Sequence, residues 1–421
     1  MDSGEKIILV IFIILMIPFS VGLYLVLDNY DVKPITINWP DLSDWFDFKK
    51  PVEKPSIVDK KIVETPKVVN TPEVTETPKV VETPEISSPN QKLSNPPSVI
   101  KAIYVTTSSA ESQNYFEYLD NLFAVTEINT VVIDIKDYSG RNKISFFDDI
   151  IKKLHDKGVY VIARIAVFED QALAKNRPDL AIYDKLKTTD PKNPILWLDN
   201  NNLAWIDPAS EEAWDYNIAI AKEAVNHGFD EINFDYIRFS SDGKIENMGF
   251  PFWDKKVPKH LVIKSFFQKL RESLPDVKLS ADIFGYATVS TDDMGIGQVL
   301  EDSFDYFDYI CPMVYPSHYR DGFRGYTNPA EYPYEVIKYS MQTALKRQTA
   351  YYDKLQTPEG TIINKAKFRP WLQDFDMGAN YTTEMVKAEI KAVIDTSGEN
   401  FYGFMLWNAS NVYTEGAIKK P

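Results

Sequence analysis

The sequence predicts an α/β fold, and three observations lead there. After Ser98, short runs rich in β-branched and aromatic residues alternate with amphipathic helical stretches, the pattern of a parallel sheet covered by helices. Eight such runs fit into about 320 residues, the number a closed barrel needs. No glycine-rich phosphate loop follows any run, which counts against the competing doubly wound open sheet. The expectation is a (β/α)8 TIM barrel over residues 98–421.

Two other segments precede the barrel. Ile7 to Leu27 is 21 positions without a charge. As a helix at ~1.5 Å per residue it spans ~30 Å, the thickness of a hydrocarbon core. No small-residue cleavage site follows, so residues 1–28 read as a retained transmembrane signal-anchor. Residues 29–97 read as a disordered Thr/Pro-rich linker. Within it Pro66, Pro72, Pro78 and Pro84 recur every six residues, in near-repeats such as Glu64-Thr65-Pro66-Lys67-Val68-Val69. Proline at that density blocks helix and central strand. Extended at ~3.1 Å per residue, residues 51–97 would reach on the order of 140 Å. Stalks of this composition bridge surface layers. The expected location is the cell membrane, single-pass, with the barrel on the extracytoplasmic side.

The eight expected strands are Ile100–Thr106, Thr130–Ile135, Val159–Ala166, Glu231–Asp235, Lys278–Ile283, Tyr309–Tyr315, Phe368–Leu372 and Phe401–Trp407. Between them Phe146–Lys157 reads as a helix ended by Gly158. Asp207-Pro208 reads as the N-cap and first turn of another, running to His227-Gly228. Further helices are expected near 258–273, 333–349 and 382–395. Long insertions follow strands 3 and 6. The first carries Trp197 and Trp205, the second Tyr319, Phe323 and Tyr326; together these rings suggest a groove on the face where such barrels place their sites.

Composition narrows the partners. A hydrophobic fraction of 44% supports a sizeable core, and a net charge of -15 argues against nucleic acid or an anionic surface as the main partner. The single cysteine, Cys311, rules out an internal disulfide and falls within an apolar strand, as a small core residue would. The four histidines show no metal-ligand spacing, so neither a metal nor a cofactor is expected. His155 and His227 sit at helix ends; His318 lies just beyond strand 6 and is a candidate substrate contact.

Side chains alternate along a strand, so parity sorts each run into two faces. Facing inward near the strand ends are Asp134 and Lys136, Arg164, Asn233 and Asp235, Ser280 and Asp282, Met313 and Tyr315, Trp371 and Gln373, and Met405 and Trp407. A barrel core alone would ask for Val, Ile and Leu there. Buried charge must pair internally or face a wet site. Paired carboxylates at that place suit glycoside hydrolysis, one attacking or stabilising the sugar cation and the other holding a proton for the leaving oxygen. Asp235 and Asp282 lie at comparable depth on adjacent strands, and Arg238 and Arg164 could hold Asp235 ionised. Asp134, Lys136, Arg164, Asn233, Arg238, Tyr315, His318, Trp371, Gln373 and Trp407 are candidate substrate-binding or supporting groups.

The stretch Gly228-Phe229-Asp230-Glu231-Ile232-Asn233-Phe234-Asp235-Tyr236-Ile237-Arg238-Phe239 resembles strand 4 of the DUF4015 glycoside hydrolase family. Ala281-Asp282-Ile283-Phe284-Gly285-Tyr286 resembles its strand 5 and Asp308 to Tyr319 its strand 6, while Val105-Thr106 and Ile133 to Asp137 fit its opening. Ser240 departs from it, standing where a proline usually follows the Arg-Phe pair. The resemblance covers residues 98–415. It implies a TIM barrel related to α-amylase-like and α-galactosidase-like hydrolases, with Asp235 the key carboxylate and Tyr286 beside the substrate. α-Galactosidase-like relatives would carry the acid on strand 6; none stands there in this chain, which leaves Asp282 as the partner.

The expected activity is hydrolysis of extracellular or cell-envelope polysaccharide by a two-carboxylate, retaining mechanism. A non-catalytic carbohydrate-binding barrel is the alternative, favoured if Asp235 and Asp282 are each sealed in ion pairs with no pocket between them. A metal-dependent polysaccharide deacetylase lacks ligands in the sequence.

Overall fold

The computed structural model describes residues 91–140, 144–355 and 365–420. The expected anchor Ile7–Leu27 and the linker through residue 90 lie outside them. Among the described residues no helix is long and apolar enough to cross a membrane.

Eight parallel staves close into a ring. β1 (Ile100–Val105), β2 (Thr130–Lys136), β3 (Tyr160–Ala166), β4 (Glu231–Asp235), β5 (Lys278–Phe284) and β6 (Tyr309–Met313) pair in that order. The seventh stave comes in two pieces, β7 (Lys367–Phe368) and β8 (Trp371–Gln373), separated by Arg369-Pro370. Proline has no N–H to give the ladder, which accounts for the break. Trp371 pairs with both Met313 and Met405, and β9 (Gly403–Trp407) joins β8 to β1 and closes the barrel. Gly403 has φ 112°, and a Cβ there would lie 1.7 Å from the Ile100 carbonyl oxygen. Only glycine lets the first and last staves come so close.

Among the described residues six helices of eight residues or more cover the ring: α1 (Gln113–Val125), α2 (Asp148–His155), α3 (Glu211–Asn226), α4 (Lys259–Ser273), α5 (Pro333–Lys354) and α6 (Thr383–Ser397). Among the described residues the β5–β6 connection carries only short 3-10 turns, and after β9 there is likewise only such a turn, Glu415–Ala417. Side-chain caps start α1 at Ser112, α3 at Ser210 and α6 at Thr382. Asp207 is therefore not the cap of α3. One of its oxygens accepts from Ala209 N in a turn, and the other takes Phe252 N at 2.7 Å and Trp253 N at 3.0 Å, pinning the β4–α4 loop.

Strand alternation separates two apolar layers. Val131, Ile133, Ile232, Phe234, Leu279 and Ala281 face the helices, while Ala102, Tyr104, Val132, Ile162 and Cys311 fill the barrel. Polar residues are most concentrated along β4, where Glu231, Asn233 and Asp235 make one inward column. The insertion after β3 and the loop after β4 meet in a two-residue antiparallel pair, Tyr183–Asp184 with Met248–Gly249.

Candidate active site

One guanidinium organises the upper end of the barrel. Arg164 on β3 pairs through Nη1 with Asp134 on β2 and through Nη2 with Asp235 at the end of β4, and its Nε lies 3.7 Å from Asp282 Oδ2 on β5. Burial works against the arginine's charge, and the carboxylates of Asp134 and Asp235 outweigh it. The other Asp134 oxygen accepts from Tyr104 OH at 2.5 Å; burial raises this carboxyl, and Arg164 opposes the rise. Tyr104 in turn stacks on Trp407, with ring centres 3.9 Å apart.

Asp282 has a different environment. Its Oδ1 accepts from Asn233 Nδ2 and Trp371 Nε1, both at 2.8 Å. Burial raises its carboxyl well above the ordinary range, the neighbouring Asp235 charge adds to this, and Arg164 offsets part of it. The register sets Phe234 opposite Ala281, so Asp235 and Asp282 are level one step further along. Beyond Asp235 the chain turns sharply. Tyr236 takes φ 53°, a conformation unfavourable for an aromatic residue, and its N–H bonds to the Asp235 carboxylate at 2.5 Å.

Above these groups opens a cavity of about 350 Å³. Arg164, Asp235 and Asp282 line its floor, and Tyr236, Phe284, Tyr286, Tyr315, Trp371 and Trp407 contribute its aromatic walls. Arg238 and His318 complete the rim. Burial lowers the His318 imidazole, favouring its neutral form. A second cavity, of about 370 Å³, lies at the opposite end of the strands, where Arg271 and Lys278 are both paired with Asp308. Among the described residues no group of three or more His, Cys, Asp or Glu could hold a metal ion.

A family model described as "Putative glycosyl hydrolase domain" (DUF4015) matches residues 141–413, well over half of the chain. The chain belongs to the DUF4015 family. No curated protein matches it. Among solved structures, a hypothetical protein from Ruminiclostridium thermocellum is 34% identical, over 46% of this chain and 98% of that one, with a TM-score of 0.37. An α-galactosidase from Thermus thermophilus is 14% identical, over 78% of this chain and 61% of that one, at TM-score 0.46. The glycoside hydrolase domain of PelA from Pseudomonas aeruginosa is 11% identical, over 75% and 97%, at TM-score 0.41.

Of the residues singled out in the sequence, the DUF4015 domain brings Arg164, Asp235, Arg238, Tyr286, Asp282, Tyr315, His318, Trp371 and Trp407 to one cavity. Asp134 and Asn233 sit beneath it and hold Arg164 and Asp282. Lys136 does not reach it. A register shift after Asp134 sets Lys136 opposite Ile165 and turns it to the outer face, where it is fully buried and pairs with Asp170 at 2.8 Å. Gln373 is also diverted: its amide accepts from Ser317 N and donates to Phe375 O, so it ties two loops together. Among the described residues Asp235 forms an ion pair with Arg164 and none with Arg238. The insertion rings do not form a groove. Trp197 and Trp205 are buried and donate to Lys244 O and Asp199, and Tyr326 stacks on Tyr332; of the five, only Tyr319 touches the cavity.

Several site groups escaped the sequence reading. Tyr104 was accessible, since parity in β1 turns it inward. Tyr236 and Glu169 lie past strand ends, where alternation no longer applies. Glu169 is buried, and that burial pushes its carboxyl up to about 8 despite the nearby Arg238.

Proposed function

We propose that this DUF4015 domain hydrolyses glycosidic bonds with Asp235 as nucleophile and Asp282 as acid/base. The observation that carries the reading is the pairing of two level carboxyl groups in opposite environments on one open cavity floor. Asp235 is held by Arg164 and by the Tyr236 N–H, which orient it as a carboxylate. Asp282 is buried, accepts two neutral donors and keeps its proton, as a general acid must. Adjacent strands stand ~4.8 Å apart, a spacing close to the ~5–5.5 Å of retaining enzymes.

In the first step Asp235 attacks the anomeric carbon as Asp282 gives its proton to the departing oxygen. In the second Asp282 takes a proton from water, which displaces Asp235. Arg164 Nε has no hydrogen-bond acceptor among the described residues and lies beside Asp282 Oδ2. It would stabilise the charge left on Asp282 when the proton departs. The aromatic walls suit the apolar faces of sugar rings. Asp235 and Asp282 share an open cavity and are not sealed apart, which speaks against a purely binding barrel.

The biological substrate in this reading is an extracellular or cell-envelope polysaccharide. Ile7–Leu27 would hold the chain in the membrane and the Thr/Pro-rich segment would carry the barrel away from it. The decisive experiment incubates the full chain, Asp235→Asn and Asp282→Asn with a panel of defined oligosaccharides and follows the products by NMR. Cleavage with retained anomeric configuration, lost in Asp235→Asn, is expected. Equal turnover by wild type and Asp235→Asn would reject the assignment.

A further inference from the structure

Arg238 is a buried cation on the cavity wall that forms no ion pair among the described residues. It is 8% exposed and lies between the faces of Trp205 and Phe284, 4.8 and 4.6 Å from their ring centres. Its Nη1 donates to Phe239 O at 3.0 Å and to Ser241 Oγ at 3.3 Å. Its Nε and Nη2 have no hydrogen-bond partner among the described residues, and Arg238 lines the cavity. No carboxylate among those residues lies within ion-pair distance of it. Of the acidic groups around it, Asp235 is engaged by Arg164, burial pushes the Glu169 carboxyl up to about 8, and Asp242 acts on Arg238 only from beyond ion-pair distance.

A guanidinium held out of water without a counter-ion is costly, and here burial lowers its hold on the proton. The two aromatic faces fix its plane, so the Nε–Nη2 edge is pre-oriented. That edge is the fork that takes two oxygens of a carboxylate or of a sulfate ester side by side. Beneath the cavity Arg164 is shared by Asp134 and Asp235, which leaves one negative charge there when Asp282 carries its proton, and neither carboxylate forms an ion pair with Arg238. The net charge of -15 belongs to the whole chain, and charges beyond ~8 Å are screened at physiological ionic strength.

We infer that Arg238 is an anion subsite, and that the sugar bound in this cavity carries an acidic substituent, a hexuronate carboxylate or a sulfate ester. This rests on the hydrolase reading for its catalytic consequence, though not for binding. The test measures kcat/KM of the full chain on matched nitrophenyl glycosides: neutral hexosides, the corresponding hexuronides and the 6-sulfated hexosides. It is repeated with Arg238→Met, which keeps the apolar stem between the two rings, and with Arg238→Lys, which keeps the charge but not the fork.

Wild type should favour one acidic series over the neutral one by about 30-fold or more, as a charge-assisted bidentate contact implies. Which acidic series wins names the group. Arg238→Met should bring that ratio close to one, with Arg238→Lys intermediate. A ratio unchanged by either substitution, or a wild-type preference for neutral sugars, overturns the inference. If Arg238→Met does not fold, judged by its near-UV dichroism, the Arg238→Lys comparison decides alone. If no glycoside is cleaved, calorimetry with free hexuronate and hexose 6-sulfate decides. Binding that Arg238→Lys weakens supports the subsite while the hydrolase reading fails. No binding overturns the subsite. Turnover of neutral glycosides with no acidic preference overturns the subsite as well but leaves the hydrolase reading standing.

Discussion

The lower and upper ends of the barrel interior both bury an arginine among carboxylates, and they do so in different proportions. At the base Arg369 meets Glu231, one cation with one anion, both fully buried. Tyr309 lies against the guanidinium at 4.2 Å, and Tyr160 OH is 3.5 Å from the carboxylate. At the top Arg164 is shared by Asp134, Asp235 and Asp282, and a cavity opens above them. A matched and closed pair locks staves together. A surplus of carboxyl groups around one guanidinium favours the protonated form of the most buried of them, Asp282, which the proposed mechanism uses as its acid. The stoichiometry of charge, more than its presence, separates scaffold from chemistry here.

The sharpest way to break that contrast is Asp235→Asn. Turnover should fall by ~10³-fold or more while the melting temperature stays within a few degrees, because Arg164 keeps Asp134. Arg369→Met should do the reverse. Leaving Glu231 buried without a partner costs about 3–5 kcal/mol in denaturant unfolding, whereas kcat per folded molecule holds. Adding Glu231→Leu should recover much of that loss; a double variant as weak as the single one would show that the base is more than an ion pair.

Asp282→Asn should lower turnover of oligosaccharides by ~10²-fold, and less for nitrophenyl leaving groups, which need little protonation. It also tests the retained proton. The Asp282 carboxyl ionises near 3.8 when unfolded but higher when folded, so the native state holds more protons and its stability falls as pH rises above that value. Asparagine has no such proton. The variant should match wild type below about pH 4 and become the more stable of the two by pH 7. The smallest effect expected is from Tyr104→Phe, which removes one donor to Asp134. A loss of about 1.5 kcal/mol in stability and less than ~10-fold in turnover would show that Arg164 carries most of that support.

Much of this was legible in the sequence because a strand's alternation is a strict rule. Ile232 and Phe234 face the helices and Asn233 and Asp235 face inward, as parity requires. Lys136 was misread because a register shift leaves no mark in composition, and one residue of slip reverses the face. Arg238 was expected to help hold Asp235 ionised, but the left-handed turn at Tyr236 re-aims the chain between them. Trp197 and Trp205 look alike as groove or as packing until their indole N–H partners are known. A (β/α)8 barrel asks for a helix after each strand, and the β5–β6 connection departs from it, carrying only short 3-10 turns among the described residues.

One modest contact at the base has a geometric consequence. Leu93 packs beneath the inner core, and its N–H bonds to Asp230 at 2.7 Å, immediately before β4 begins. Asp230 also takes Val161 N and His155, so the incoming chain is tied to two staves and a helix at once. The cavity lies at the other end of those same staves. A pull applied at Leu93 is thus borne by the base of the barrel, at the end of the staves away from the cavity.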